Sequence, residues 1–274
     1  MTTRLRVVVT RPERDAQSWV QALQERGFDV LALPLIAITP TPQQQALAEV
    51  WQQLQDGRAP YRALMFVSGN AVRHFFASKQ ALAHVFSVQS AIKTRAWATG
   101  PGTVRALLAA GVAPACMDAP ELEAGQFDSE ALWAVVQPAV QPGDRVLIVR
   151  GGDATDSPDA PAPGVGRDWL ARRLLDAGAG ADFLVSYQRA APQFTAAQRQ
   201  WAQQAASDGS VWLFSSSEAV SNLQAVLHGQ DWTGARALAT HPRIAAAARQ
   251  AGFGVVCESR PLLPEVIASI ESLA

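Results

Sequence analysis

Residues 95–112, RAWATGPGTVRALLAAGV, return without a gap as residues 236–253, RALATHPRIAAAARQAGF. Arg95/Arg236, Ala96/Ala237, Ala98/Ala239, Thr99/Thr240, Pro101/Pro242, Ala106/Ala247, Ala110/Ala251 and Gly111/Gly252 are identical between the copies. Each copy reads as a short apolar strand, a tight turn carrying Thr and Pro, an Ala-rich helix, and a Gly just past the helix end, where a left-handed residue costs least. A strand-turn-helix unit used twice predicts a duplicated architecture.

The repeat extends outward from this stretch. Phe66-Val67-Ser68-Gly69-Asn70-Ala71-Val72 answers Phe214-Ser215-Ser216-Ser217-Glu218-Ala219-Val220 as strand end, small turn and helix start. A third pair joins Arg6 to Arg11, with the helix Ala16 to Glu25 and Gly27, to Arg145 to Arg150, with the helix Trp169 to Asp176 and Gly178. The units fall in the order first half of one domain, all of a second, second half of the first. The reading places residues 1–38 with 190–274 in one discontinuous α/β domain and 43–185 in another, with 39–42 and 186–189 as the linkers.

LRVVVT at Leu5 to Thr10, DVLALPL at Asp29 to Leu35 and RALMFV at Arg62 to Val67 are short apolar runs of the kind that form strands buried on both faces. Alternation with helices then implies parallel sheets covered by helices and wound right-handedly. Pro34, Pro40 and Pro42 predict an extended linker. The helix after it, Gln43 to Leu54, carries Leu47, Val50, Trp51 and Leu54 at helical spacing. The Pro-, Asp- and Ala-rich stretch Asp153 to Gly166 predicts a mobile surface loop beside a strand end.

The chain has 274 residues, 49% of them apolar, and 23 basic residues against 24 acidic ones give a net charge of -1. That balance provides no global field for nucleic acid or an anionic membrane. Only Cys116 and Cys257 occur, which suits free thiols and a cytoplasmic setting. Neither a secretory signal pattern nor a run of about 18 apolar residues is found.

The candidate chemistry lies in the turns that follow strands: Thr10-Arg11-Pro12, Ser68-Gly69-Asn70, Thr99-Gly100-Pro101-Gly102-Thr103, Arg150-Gly151-Gly152, Ser215-Ser216-Ser217 and Thr240-His241-Pro242-Arg243. Backbone N–H groups at helix N-termini together with hydroxyls suit carboxylate or phosphate oxygens. Taken singly, each Ser or Thr reads first as an N-cap; the series points to a ligand. GxGxxG and GxxxxGK[ST] both fail, and no GxSxG elbow occurs. His74, His84, His228 and His241 lack metal-ligand spacing, so no metal is expected. Tyr187, in LVSYQR, is one of two tyrosines and lies where the chain crosses back between domains, a place from which a phenol can donate a proton. Taken alone, a linker aromatic is more often a packing residue.

Seven short motifs run in order along nearly the whole chain. They are VVVTRP with Gly27, Val30 and Pro34 after it, MFVSGNAV, ATGPGTVRALLAAG, VLIVRGG followed by Leu170, Leu174 and Gly178, VSYQR, LFSSSEAV, and ATHPRIAAAARQAGF. In this series the sequence resembles the uroporphyrinogen-III synthase family. The resemblance implies two similar α/β domains joined by a two-stranded linker, with substrate in the cleft between them. It implies a cofactor-free lyase of haem, sirohaem and cobalamin biosynthesis that cyclises the linear tetrapyrrole hydroxymethylbilane to uroporphyrinogen III, with inversion of ring D and loss of water. It further implies a monomer in transient contact with hydroxymethylbilane synthase.

The family tyrosine that assists hydroxyl departure falls on Tyr187, and the Thr of its G-x-x-T turn on Thr103. The strand-end serines fall on Ser68 and Ser216. The second-domain turn departs from the family's G-P-T-T-A, so that either Thr240 or Arg243 takes the Thr position or the position carries no role. Arg11, Arg150, Arg167 and Arg243 are the expected cations for a polycarboxylate. Gly69, Asn70, Gly100, Gly151, Ser217 and His241 complete the expected substrate-binding set. Two other classes stay open: a non-catalytic two-lobed α/β binding protein for a polyanionic small molecule, and a nucleotide-dependent transferase or oxidoreductase, against which the failed glycine fingerprints count.

Overall fold

The computed structural model describes residues 5–56, 58, 61–77, 94–122, 126–153 and 165–273. The chain divides into two compact units, Met1–Ile38 with Ala190–Ala274, and Thr39–Arg189. In chain order the elements begin with β1 (Arg6–Val9), α1 (Glu13–Glu25), β2 (Asp29–Ala32) and β3 (Ala37–Pro40). They continue with α2 (Gln44–Gln55), β4 (Ala63–Phe66), α3 (Gly69–Phe76), β5 (Arg95–Ala98), α4 (Pro101–Ala109), β6 (Met117–Asp118), α5 (Ser129–Val136), β7 (Arg145–Asp153), α6 (Val165–Asp176) and β8 (Gly180–Ala190). The last segment holds α7 (Ala196–Ala205), β9 (Val211–Phe214), α8 (Ser217–Val226), β10 (Arg236–Ala239), α9 (Pro242–Gln250), β11 (Val255–Glu258) and α10 (Leu263–Glu271).

One sheet runs β11-β10-β9-β1-β2 and the other β6-β5-β4-β7-β8-β3. Up to the added β3, these are one order written twice. The ladders β1–β2, β1–β9, β9–β10 and β10–β11 are parallel, as are β4–β5, β4–β7, β5–β6 and β7–β8. The sequence repeat also fixes register. Phe66 pairs with Ala98 in one sheet and its counterpart Phe214 with Ala239 in the other. Val146 pairs with Ala63, and Val7 with Val211. In chain terms, the β7–β8 part of the pattern comes last in one unit and its β1–β2 equivalent comes first in the other.

The central strands β4 and β9 are buried at every position, which is why they read as continuous apolar runs rather than alternating ones. In one unit Phe214 anchors an aromatic core with Trp212, Trp232 and Phe253, where Trp232 stacks on Phe253 at 5.0 Å. In the other, Phe66 meets Phe75 and Phe76 from α3, and Trp51 from α2 donates its indole N–H to Phe75 O at 2.9 Å. Such rings supply much of the apolar area that each unit buries.

The two copies of the repeat end alike. Gly111 and Gly252 adopt φ of 88° and 95°. Val112 N–H donates to Leu107 O and Gly111 N–H to Leu108 O, while Phe253 N–H donates to Ala248 O and Gly252 N–H to Arg249 O. Both are Schellman closures, which consume carbonyls the helix end leaves open.

Several expected boundaries shift. Pro40 ends strand β3, which lies beside β8 at the sheet edge, and its fixed φ suits an extended outer strand. β7 continues past Arg150 through Gly151, Gly152 and Asp153 because β8 continues beside it. The loop expected over Asp153 to Gly166 is corrected at both ends, since Asp153 is in β7 and Val165 and Gly166 are in α6. The intervening residues 154–164 lie outside the described ones.

Candidate functional site

In unit Thr39–Arg189 the sheet brings three expected residues to one point. Ser68 follows β4 with extended backbone, φ -164° and ψ 163°, and its side chain caps α3 by accepting from Ala71 N–H at 3.1 Å. The same oxygen lies 3.1 Å from the phenol oxygen of Tyr187, on β8. Gly151, on β7, lies under the phenol ring: a Cβ there would be 2.9 Å from the Tyr187 hydroxyl oxygen. The tyrosine is buried, at 5% exposure. His74, one turn along α3 from Asn70, stacks on the ring with centroids 5.6 Å apart.

A serine hydroxyl has one proton and two lone pairs. Ser68 accepts from Ala71 and can still donate to Tyr187. With Ser68 as the donor, the phenol can pass its own proton to another acceptor, and the same contact stabilises the phenolate that remains.

Around this point, Gly69 opens α3, where a Cβ would touch Gly102 O and Ala106 Cβ, each at 3.5 Å, and press on the Arg73 guanidinium at 3.2 Å. Asn70 is buried and accepts from Arg73 at 2.8 Å. Gly100 caps α4 with extended backbone, and Thr103 N–H donates to its carbonyl at 3.0 Å. Thr103 is buried on the first turn of α4. Thr99 Oγ1 donates to Val67 O, tying this turn to the one that carries Ser68.

Arg150 immediately precedes Gly151 and is 6% exposed. Its guanidinium lies 5.1 Å over the Phe183 ring, and its Nε is buried with no hydrogen-bond partner among the described residues. Burying a guanidinium is expensive unless hydrogen bonds or an anion meet its N–H groups. Its counterpart in the repeat, Arg11, lies over Trp19 at 4.3 Å. Arg167 is in α6, with a side chain outside the described set.

In the other unit the matching turns carry caps. Ser216 accepts from Glu218 N–H at 3.2 Å, and His241 Nδ1 accepts from Arg243 N–H at 3.1 Å. Ser217 Oγ donates to Arg243 O at 3.5 Å. This repeats the approach of Gly69 to Gly102 O. Thr240 is buried, with its N–H on Phe214 O. Arg243 is exposed on the first turn of α9. The duplication is therefore chemically asymmetric: β2 ends at Ala32 and gives Ser216 no tyrosine.

Two contributors escaped the sequence reading. His74 stacks on Tyr187 from a helix far away in sequence, and nothing in the residues around it signals that contact. Ser186, within VSYQR, is buried at 1%, and its single hydroxyl proton is shared between Ala71 O at 3.3 Å and Arg150 O at 3.4 Å. Among the described residues no group of His, Cys, Asp and Glu gathers to hold a metal ion, and no helix is long and apolar enough to cross a membrane.

Two parallel sheets of one order, flanked by helices and with polar turns beyond their strand ends, define a duplicated α/β protein. The family model for uroporphyrinogen-III synthase HemD matches residues 17–267, and the chain belongs to that family. Solved structures agree in fold. The uroporphyrinogen-III synthetase of Helicobacter pylori is 16% identical over 99% of this chain and 100% of that one, with a TM-score of 0.58. A mutant uroporphyrinogen III synthase of Thermus thermophilus is 18% identical over 98% of each chain, with a TM-score of 0.53.

Proposed function

We propose that this chain is a cofactor-free lyase that cyclises hydroxymethylbilane to uroporphyrinogen III, with Tyr187 as the proton donor. Family membership supports the reaction class. The observation that carries the residue assignment is the buried Tyr187 phenol held against Ser68 at 3.1 Å.

The chemistry asks for one proton at the start and returns one at the end. Tyr187 protonates the hydroxyl of the ring A hydroxymethyl group, which leaves as water and generates a cationic azafulvenium. Ser68 donates to the phenolate. Ring D attacks through its substituted α-carbon, the spiro intermediate fragments, and reclosure at the free α-carbon gives the type III isomer. The proton lost from that carbon returns to the phenolate. Positioned proton transfer of this kind contributes about 10²–10⁴-fold. The larger share falls to holding one folded conformer, because unassisted closure gives type I.

Recognition of the carboxylates is assigned to Arg150, Arg11 and Arg243 and to the N–H groups of the strand-end turns. Arg150 is the strongest of these, being buried with its Nε unpartnered among the described residues. Thr103 is assigned to the substrate because the Thr of the family's G-x-x-T turn falls on it, buried on the first turn of α4.

The test is to supply the purified protein with hydroxymethylbilane generated in situ and to separate the oxidised uroporphyrin isomers. Predominant type III is expected. Type I alone, as in the enzyme-free control, overturns the proposal and leaves the polyanion-binding reading.

A further inference from the structure

The β7–β8 ladder runs Ile148↔Phe183, Val149↔Leu184, Arg150↔Val185 and then Gly151↔Tyr187, so Ser186 is an extra residue on β8. In an unbroken strand successive side chains alternate between faces. Phe183 is exposed, Leu184 buried, Val185 half-buried and Ser186 buried. Strict alternation would send Tyr187 to the face of Phe183 and Val185. It is instead buried beside Ser186, against Ser68 and His74 of the α3 segment. A one-residue bulge accounts for this, because it makes neighbouring side chains share a face and bends the strand locally.

The bulge needs something to hold it, since its extra residue loses its place in the ladder. The Ser186 hydroxyl lies 3.3 Å from Ala71 O and 3.4 Å from Arg150 O. Arg150 is the residue at which the register shifts, and Ala71 is on α3, whose N-cap touches the phenol. One buried hydroxyl thus spans the bulge and the helix that the tyrosine is turned towards.

We infer that Ser186 is a positioning residue for Tyr187: by pinning the β8 bulge to Arg150 and α3, it turns the phenol onto Ser68 and over Gly151. This rests on the proposed role of Tyr187 as proton donor. The bulge itself is a matter of geometry, and its test has a readout that needs no substrate.

The chain has two tyrosines, so a Tyr61→Phe background leaves Tyr187 as the sole site for 3-fluorotyrosine. Fluorine NMR then reports the phenol's surroundings in the folded protein. Ser186→Ala is expected to shift or broaden that single resonance. With hydroxymethylbilane and unlabelled protein, it is expected to lower kcat by about tenfold while KM stays within about twofold, the pattern of a lost transition-state interaction. Placed in a Tyr187→Phe background, Ser186→Ala is expected to cost nothing further in kcat, because residues acting as a unit are not additive. Ser186→Thr, which retains the hydroxyl on a strand-forming residue, restores both readouts.

An unchanged resonance in Ser186→Ala overturns the inference. So does a loss that multiplies with that of Tyr187→Phe, because a merely structural role gives independent effects. If Ser186→Ala fails to fold, Ser186→Cys keeps the volume and is judged by the same criteria. If the wild-type protein makes type I alone, the proposed function falls, and the resonance decides the positioning claim by itself.

Discussion

The Tyr187 ring lies so close to the bare Cα of Gly151 that a Cβ there would sit 2.6 Å from Tyr187 Cζ and 2.7 Å from Cε2. The constraint is one of space, and the ring has little room to yield, with His74 stacked on it and Ser68 at its hydroxyl. Gly151→Ala therefore overpacks the site, at a cost of about 1–3 kcal/mol. It moves the phenol and is expected to lower type III production by at least about tenfold, within the range of lost proton transfer. Removing the ring relieves the clash: Gly151→Ala combined with Tyr187→Ala should unfold in denaturant at the same midpoint as Tyr187→Ala alone. A double variant clearly less stable than Tyr187→Ala would refute the packing argument.

The repeat supplies an internal control for Ser68. Ser68 and Ser216 occupy the same N-cap position, so replacing either by Ala is expected to cost about 1 kcal/mol of stability. Only Ser68 also touches a phenol. Ser68→Ala should then lower kcat, whereas Ser216→Ala should act through stability and KM. Equal kcat losses in the two variants would show that the Ser68–Tyr187 contact has no catalytic consequence.

The difference between what the sequence reveals and what it conceals follows the same line. The repeat was legible because Pro, Gly and small residues must recur wherever a strand-turn-helix unit recurs; Gly111 and Gly252 are needed at their φ of 88° and 95° whatever surrounds them. Strand ends were less legible. Gly151-Gly152-Asp153 has no strand propensity of its own and is extended because β8 runs beside it. The bulge at Ser186 could not be read at all, because it is a mismatch between two strands rather than a property of either. Likewise, Tyr187 was identifiable as a candidate, but its partner Ser68 lies 119 residues away and its stacking partner His74 sits on a helix.

The edge of one sheet offers a stability prediction away from the site. Arg95 on β5 grips both carboxylate oxygens of Asp118 on β6, with its second contact at 2.7 Å, and also donates to Met117 O at 2.9 Å and Ala115 O at 3.2 Å. Both side chains are less than one-third exposed, so solvent screens the pair only in part. Asp118→Ala leaves a half-buried guanidinium without its carboxylate and is expected to cost about 1–3 kcal/mol in denaturant unfolding. A change below about 0.5 kcal/mol would place the pair among ordinary surface ion pairs.

Alkaline titration tests the electrostatics at the start of β7. Burial raises the Tyr61 phenol above its ordinary 10.0, and the Asp182 carboxylate adds to the rise by its charge and a hydrogen bond, against the opposing charge of Arg145. Arg145 lies over the Tyr61 ring at 5.7 Å and donates to Asp182 at 2.6 Å, so the three side chains form one group. A raised folded-state value means that the native protein holds this proton more tightly than the unfolded chain. Its contribution to stability is fully present below about pH 10 and is lost as pH rises through the folded-state value. In Tyr187→Phe protein Tyr61 is the only tyrosine, and tyrosinate absorbance follows it alone. The native titration is expected to lie at higher pH than that of the urea-unfolded chain. Adding Asp182→Asn should move it down, because a source of the rise is removed while Arg145 still opposes it. A native curve coincident with the unfolded one would show that burial and Asp182 do not outweigh Arg145 at the phenol.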